Sequence, residues 1–147
     1  MNADIFTALC DYLTEEVPEF RWIDEDSGQL GAAKEERPAV CFPCCLIDIQ
    51  YASCRDLTDT EQVVKVTLTL KMAFYAWGDT NSLAPKEARA KALERLRTVE
   101  KAHAALQGWT DGGSVSPLCR LSARPSTMAS GLKVYTVTYE TTFEEYA

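Results

Sequence analysis

Between Val63 and Trp77 the chain alternates without a break. Val64, Val66, Leu68, Leu70, Met72 and Phe74 take turns with Lys65, Thr67, Thr69, Lys71, Ala73 and Tyr75. A period of two sends successive side chains to opposite sides of an extended strand, so one side is core and the other mostly polar. A long strand with one wet side belongs in an antiparallel sheet, and its apolar side needs a covering layer. Two stretches have the spacing to supply that layer. Asp4 to Val17 carries Ile5, Leu9, Tyr12 and Leu13 on one helical face, with Asn2 or Asp4 as the cap and Pro18 setting the end. Pro85 to Gln107 carries a stripe of Ala88, Ala92, Leu96, Val99, His103 and Leu106, with Ser82 as a candidate cap. Gly108 is placed to close that helix in a left-handed conformation.

The remaining segments complete the sheet. Phe20 to Ile23 reads as a short strand, and Asp24 to Arg37 as a charged loop without periodicity. Pro38 to Gln50 is apolar on both alternating sets: Phe42, Cys44 and Leu46 point one way, and Cys41, Cys45, Ile47 and Ile49 the other. A strand covered on both sides has this composition, so one face is expected to meet the helices and the other a neighbouring subunit. Pro43 removes a ladder donor and suggests an edge or a bulge. Gly78 to Ala84 reads as a turn. Leu118 to Ala123 and Leu132 to Phe143 form a closing pair of strands, joined by a loop from Arg124-Pro125 to Gly131. In the last strand Tyr135, Val137, Tyr139, Thr141 and Phe143 share a face. The predicted fold is α+β over a single domain, 1–147: a mostly antiparallel sheet with two main helices packed on one side.

Charge narrows the function classes. Lys and Arg number 15 against 22 Asp and Glu, a net charge of −7. Affinity for nucleic acid comes largely from cations neutralising phosphates, so specific nucleic-acid binding is not expected. The same charge keeps a chain soluble and would let nucleic acid pass a surface without being gripped. No basic start leads into a continuous apolar run, and no stretch reaches the roughly 20 apolar residues that span a bilayer. Synthesis in a cytoplasm without membrane attachment is therefore expected, with the six cysteines as reduced thiols.

Few residues could carry chemistry. Cys41, Cys44 and Cys45 offer half of a zinc knuckle or a redox pair, but Cys10, Cys54, Cys119 and His103 contain no second matching pair. In an extended strand Cys41 and Cys44 would diverge, and buried cysteines commonly act as small hydrophobes. Asp24 to Gly28, with Glu35 beyond, resembles the start of a calcium loop, yet Gly28 stands where a ligand belongs and Gln29 where the glycine belongs. His103, the only histidine, sits inside an apolar stripe. No nucleophile elbow accompanies it, and Gly112-Gly113 lacks the Lys-Ser/Thr of a phosphate loop. No catalytic residue, metal site or cofactor is expected. Trp22, Trp77 and Trp109 lie at element ends, where a large aromatic serves either as a lid on the core or as an anchor between subunits.

Taken together, Trp22 to Leu30, Arg37 to Ile49, His103 to Trp109 and Val134 to Tyr139 give the chain a family likeness. It resembles the tail-completion, or tail-terminator, proteins of long-tailed bacteriophages and prophages. The likeness rests on element order, on the helix ending Leu106-Gln-Gly-Trp109 and on the closing strand. It implies a structural protein of the virion tail, made in the host cytoplasm. The implied form is a homo-oligomeric ring, commonly a hexamer, seated on the end of the tail tube. Such a ring stops tube growth, docks to the head–tail connector and lets DNA pass through its lumen. Ring closure needs one patch to meet a different patch on the next copy. The candidate subunit-interface residues are Trp22, Cys41, Cys45, Ile47, Ile49, Trp77 and Trp109. The rival readings are another small neck or baseplate component, and a cytoplasmic thiol- or zinc-binding protein built on Cys41, Cys44 and Cys45.

Overall fold

A computed structural model of the chain describes residues 2–31, 40–75 and 80–147. Its elements run α1 (Asn2–Glu16), β1 (Trp22–Glu25), β2 (Cys44–Asp56), β3 (Glu61–Phe74), α2 (Lys86–Leu106), β4 (Cys119–Thr127) and β5 (Lys133–Tyr146). The five strands form one sheet in the order β1-β2-β3-β5-β4, and both helices lie on one face of it. The α+β class, the mostly antiparallel sheet and the one-sided helices thus agree with the sequence reading.

The alternation in β3 organises the core. Val64, Val66, Leu68, Leu70, Met72 and Phe74 are all buried, and they pair across the ladder with Phe143, Thr141, Tyr139, Val137, Tyr135 and Lys133 of β5. On β2, Cys45 and Ile47 share this face. Ile5, Leu9 and Leu13 of α1 close over it, followed by Val17 and Phe20. Burying a leucine, isoleucine or valine side chain contributes roughly 1.5–3 kcal/mol, so this layer is the main source of stability.

Several expectations shift. α1 starts at Asn2, inside the stretch predicted to be its cap. α2 is preceded by Pro85 at the cap position with no side-chain cap bond, while Asn81 Oδ1 accepts from the Leu83 amide. Ser82 therefore does not cap the helix; the preset φ of proline starts it instead. α2 is also rotated from the predicted stripe. It buries Ala92, Thr98, Ala102 and Leu106, while Leu96 remains 37% exposed. Tertiary bonds fix that rotation. The Tyr12 hydroxyl donates to the Ala105 carbonyl at 2.7 Å, Lys101 pairs with Glu19 at 2.9 Å, and Arg95 Nε donates to the Tyr135 hydroxyl at 3.1 Å. Gly108 does end the helix with φ 82°, and its amide bonds the Leu118 carbonyl at 2.8 Å.

β1 pairs with β2 in parallel, an exception to the antiparallel pattern. Pro43 lies just ahead of β2, which is an inner strand flanked by β1 and β3, so the edge reading of that proline does not hold. β4 continues through Arg124-Pro125 to Thr127, a stretch expected to be loop. An edge strand tolerates proline because one side of its backbone has no ladder to break.

Candidate functional site

The side chains singled out in the sequence are distributed over the whole fold. Cys45 and Ile47 are fully enclosed beneath α1, so the protomer's own core already occupies them, and they offer no contact surface. The opposite face of β2 is closed by the same chain as well. Phe42, Cys44 and Leu46 form a second apolar cluster with Leu30, Ala73, Leu132 and Val134. A neighbouring subunit is not needed to cover this doubly apolar strand, which corrects that expectation. Ile49 is half-buried at the core margin, Cys41 is exposed ahead of β2, and Trp22 is 38% exposed on the edge strand β1. Trp109 is half-buried against Tyr12, with ring centroids 5.8 Å apart. Trp77 lies outside the described residues.

Electrostatics makes the buried thiols poor nucleophiles. Burial pushes Cys44 up to about 11 and raises Cys45 further, and the two point into different clusters on opposite faces of the sheet. Since the thiolate is the reactive and metal-binding form, both are suited to packing. Among the described residues, no group of three or more His, Cys, Asp or Glu is arranged to hold a metal ion. Two carboxylates of the calcium-like stretch, Asp24 and Asp26, have partners within the chain. Asp24 Oδ1 accepts from the Glu25 amide, and Asp26 pairs with Lys71 at 3.1 Å.

His103 meets the hydroxyl of Tyr139 at 2.8 Å through Nδ1. Burial, aided by the charge of Arg120, lowers the imidazole pKa, and burial holds the Tyr139 phenol up to about 12. Both groups are therefore neutral near pH 7, and the bond ties α2 to β5. Thr141, another buried polar group, donates to the Ser116 carbonyl at 2.5 Å and lies 3.0 Å from the Ser116 hydroxyl, pinning the segment after α2 to β5. These bonds join elements to one another rather than aim groups into a common pocket.

The sheet face away from the helices differs from end to end. At one end the second apolar cluster covers it. Elsewhere it is a polar surface of cross-strand pairs, Lys65 with Thr142, Thr67 with Glu140, Thr69 with Thr138 and Lys71 with Thr136. Exposed apolar side chains include Trp22 on β1, Leu57 in the turn between β2 and β3, Leu83 ahead of α2, Leu96 on α2, Leu121 on β4 and Tyr146 at the end of β5. No helix is long and apolar enough to cross a membrane among the described residues.

The arrangement is that of a small α+β domain whose distinctive surfaces are sheet edges and strand ends. The chain belongs to the phage tail terminator protein family, whose model matches residues 1–146. It is accordingly a structural component of the phage virion tail. A comparison with individually curated proteins found no match.

Proposed function

We propose that the protein closes the tail tube: copies assemble as a ring, commonly a hexamer, on the tube end, stop its growth and present a surface to the head–tail connector. The observation that supports this reading is the family match, which spans essentially the whole chain. The role is structural and not enzymatic, and it calls for no cofactor. Its partners are further copies of itself, the tail tube protein and the connector protein. A net charge of −7 suits a lumen through which DNA slides, because like charges keep phosphates from adhering. Synthesis takes place in the host cytoplasm before assembly. Of the sequence candidates, Trp22, Cys41, Ile49 and Trp109 remain available to contact other subunits.

Electron microscopy of the purified protein mixed with tail tubes tests this. Rings on tube ends, together with tubes of limited length, are the expected result. Binding along the tube sides or at the distal tip would instead assign the chain to another tail component.

A further inference from the structure

The chain is electrically lopsided, and the fold turns that imbalance into geometry. Residues 1–62 carry 14 acidic and 4 basic side chains, whereas residues 63–147 carry 8 acidic and 11 basic. The sheet order places β1 and β2, from the acidic part, at one border and β4, from the basic part, at the other.

At the β4 border, Arg120 and Arg124 stand on a strand without an acidic residue. A register shift between Arg120 and Ser122 accompanies the outward placement of Leu121, which is 55% exposed. α2 adds to the same border. His103 and Gln107 reach β5 and β4, through Tyr139 and the Arg120 amide, and Leu96 and Arg89 continue their helical stripe at spacings of seven residues. The result is an apolar knob next to Arg120 on the helix side of the edge, while Arg124, in register with Thr136, stands on the opposite face.

The other border has the complementary form. β1 covers β2 only as far as Ile47, so among the described residues Asp48 to Asp56 have no ladder partner on that side. Between this open edge and the first turns of α1 lies a cleft of about 380 Å³. Phe6 and Ile49 give it apolar lining, and Glu25, in register with Ile47 on the helix side of the sheet, gives it a carboxylate.

We infer that copies of this chain join head to tail, with Leu121 and Arg120 of one copy seated in the Phe6–Glu25–Ile49 cleft of the next. Two different patches on one subunit then satisfy each other, the heterologous contact from which rings are built. Side-chain docking fits better than a continuous intersubunit strand ladder. The bulge, the arginines and Pro125 on β4 are all devices that discourage strand addition. The inference rests on the ring reading above and names its contact surfaces.

Charge exchange tests it. Arg120→Glu or Glu25→Arg should each weaken self-association roughly tenfold or more, because attraction across the contact becomes repulsion. Both substitutions on one chain should restore it. Association is read by sedimentation velocity up to millimolar concentration and by occupancy of tail tubes, with thermal melts confirming that each variant folds. Wild-type-like association of either single variant would overturn the inference. So would a folded double variant no better than the singles, or a wild-type chain that associates in neither setting. The two readings fail separately. Tube ends capped equally well by all variants would remove the contact and keep the terminator role. Charge-dependent self-association without affinity for tubes would do the reverse.

Discussion

Replacing Tyr139 by phenylalanine isolates one bond in the centre of the fold. Tyr139 is fully buried, the largest such side chain among the described residues, and its hydroxyl lies 2.8 Å from His103 Nδ1. Phenylalanine keeps the ring and its packing, so the loss is confined to the hydrogen bond. A bond of this type contributes about 0.5–1.5 kcal/mol net. His103 is only half-buried, and water can reach the nitrogen left behind, so the expected loss is about 1 kcal/mol. Unfolding entropy near 60 °C is about 2.1 cal/mol/K per residue, which for 147 residues gives roughly 0.3 kcal/mol/K. The melting temperature should therefore fall by about 3 °C. Tyr139→Ala, which also empties the ring volume, should cost about 3–5 kcal/mol and lower it by about 10–15 °C. Thermal unfolding followed by circular dichroism at about pH 8, where the imidazole is neutral folded and unfolded, measures both. Equal losses for the two variants, or no loss for Tyr139→Phe, would refute this division between packing and bonding.

Three further outcomes are expected. The folded pKa of His103 lies below its usual 6.5, so as the pH falls through that value the unfolded chain takes up a proton that the folded chain resists. Stability should fall over that window more steeply in wild type than in His103→Gln, and parallel curves would remove the effect. Leu13→Ala should cost about 2–5 kcal/mol by emptying space beneath α1, whereas Leu57→Ala, exposed in the hairpin turn, should stay within about 0.5 kcal/mol; denaturant midpoints compare them. Under native conditions a thiol reagent should modify Cys41, Cys54 and Cys119 long before Cys44 and Cys45, with all six reacting in denaturant. Rapid native modification of Cys45 would contradict its burial.

The sequence by itself determined the elements whose hydrophobic period is unbroken. β3 and β5 alternate over many residues, and Ile5, Leu9 and Leu13 repeat at helical spacing, so local geometry alone sorts their side chains into core and solvent. The tail-terminator likeness was also present in the order of these segments, and the family match over residues 1–146 bears it out. What only the tertiary structure decided concerns partners distant in the chain. Whether β2's second apolar face met another subunit or its own chain depended on Leu30, Leu132 and Val134 arriving there, which no local period encodes. α2 turned Thr98 inward and left Leu96 outside because Tyr12, Glu19 and Tyr135 hold it, although both rotations satisfy a helical stripe. The opposed acidic and basic borders exist only because the sheet order puts β1 and β4, nearly a hundred residues apart in sequence, at its two edges. Side-chain period is a property of neighbours along the backbone, whereas an edge is a property of the assembled sheet.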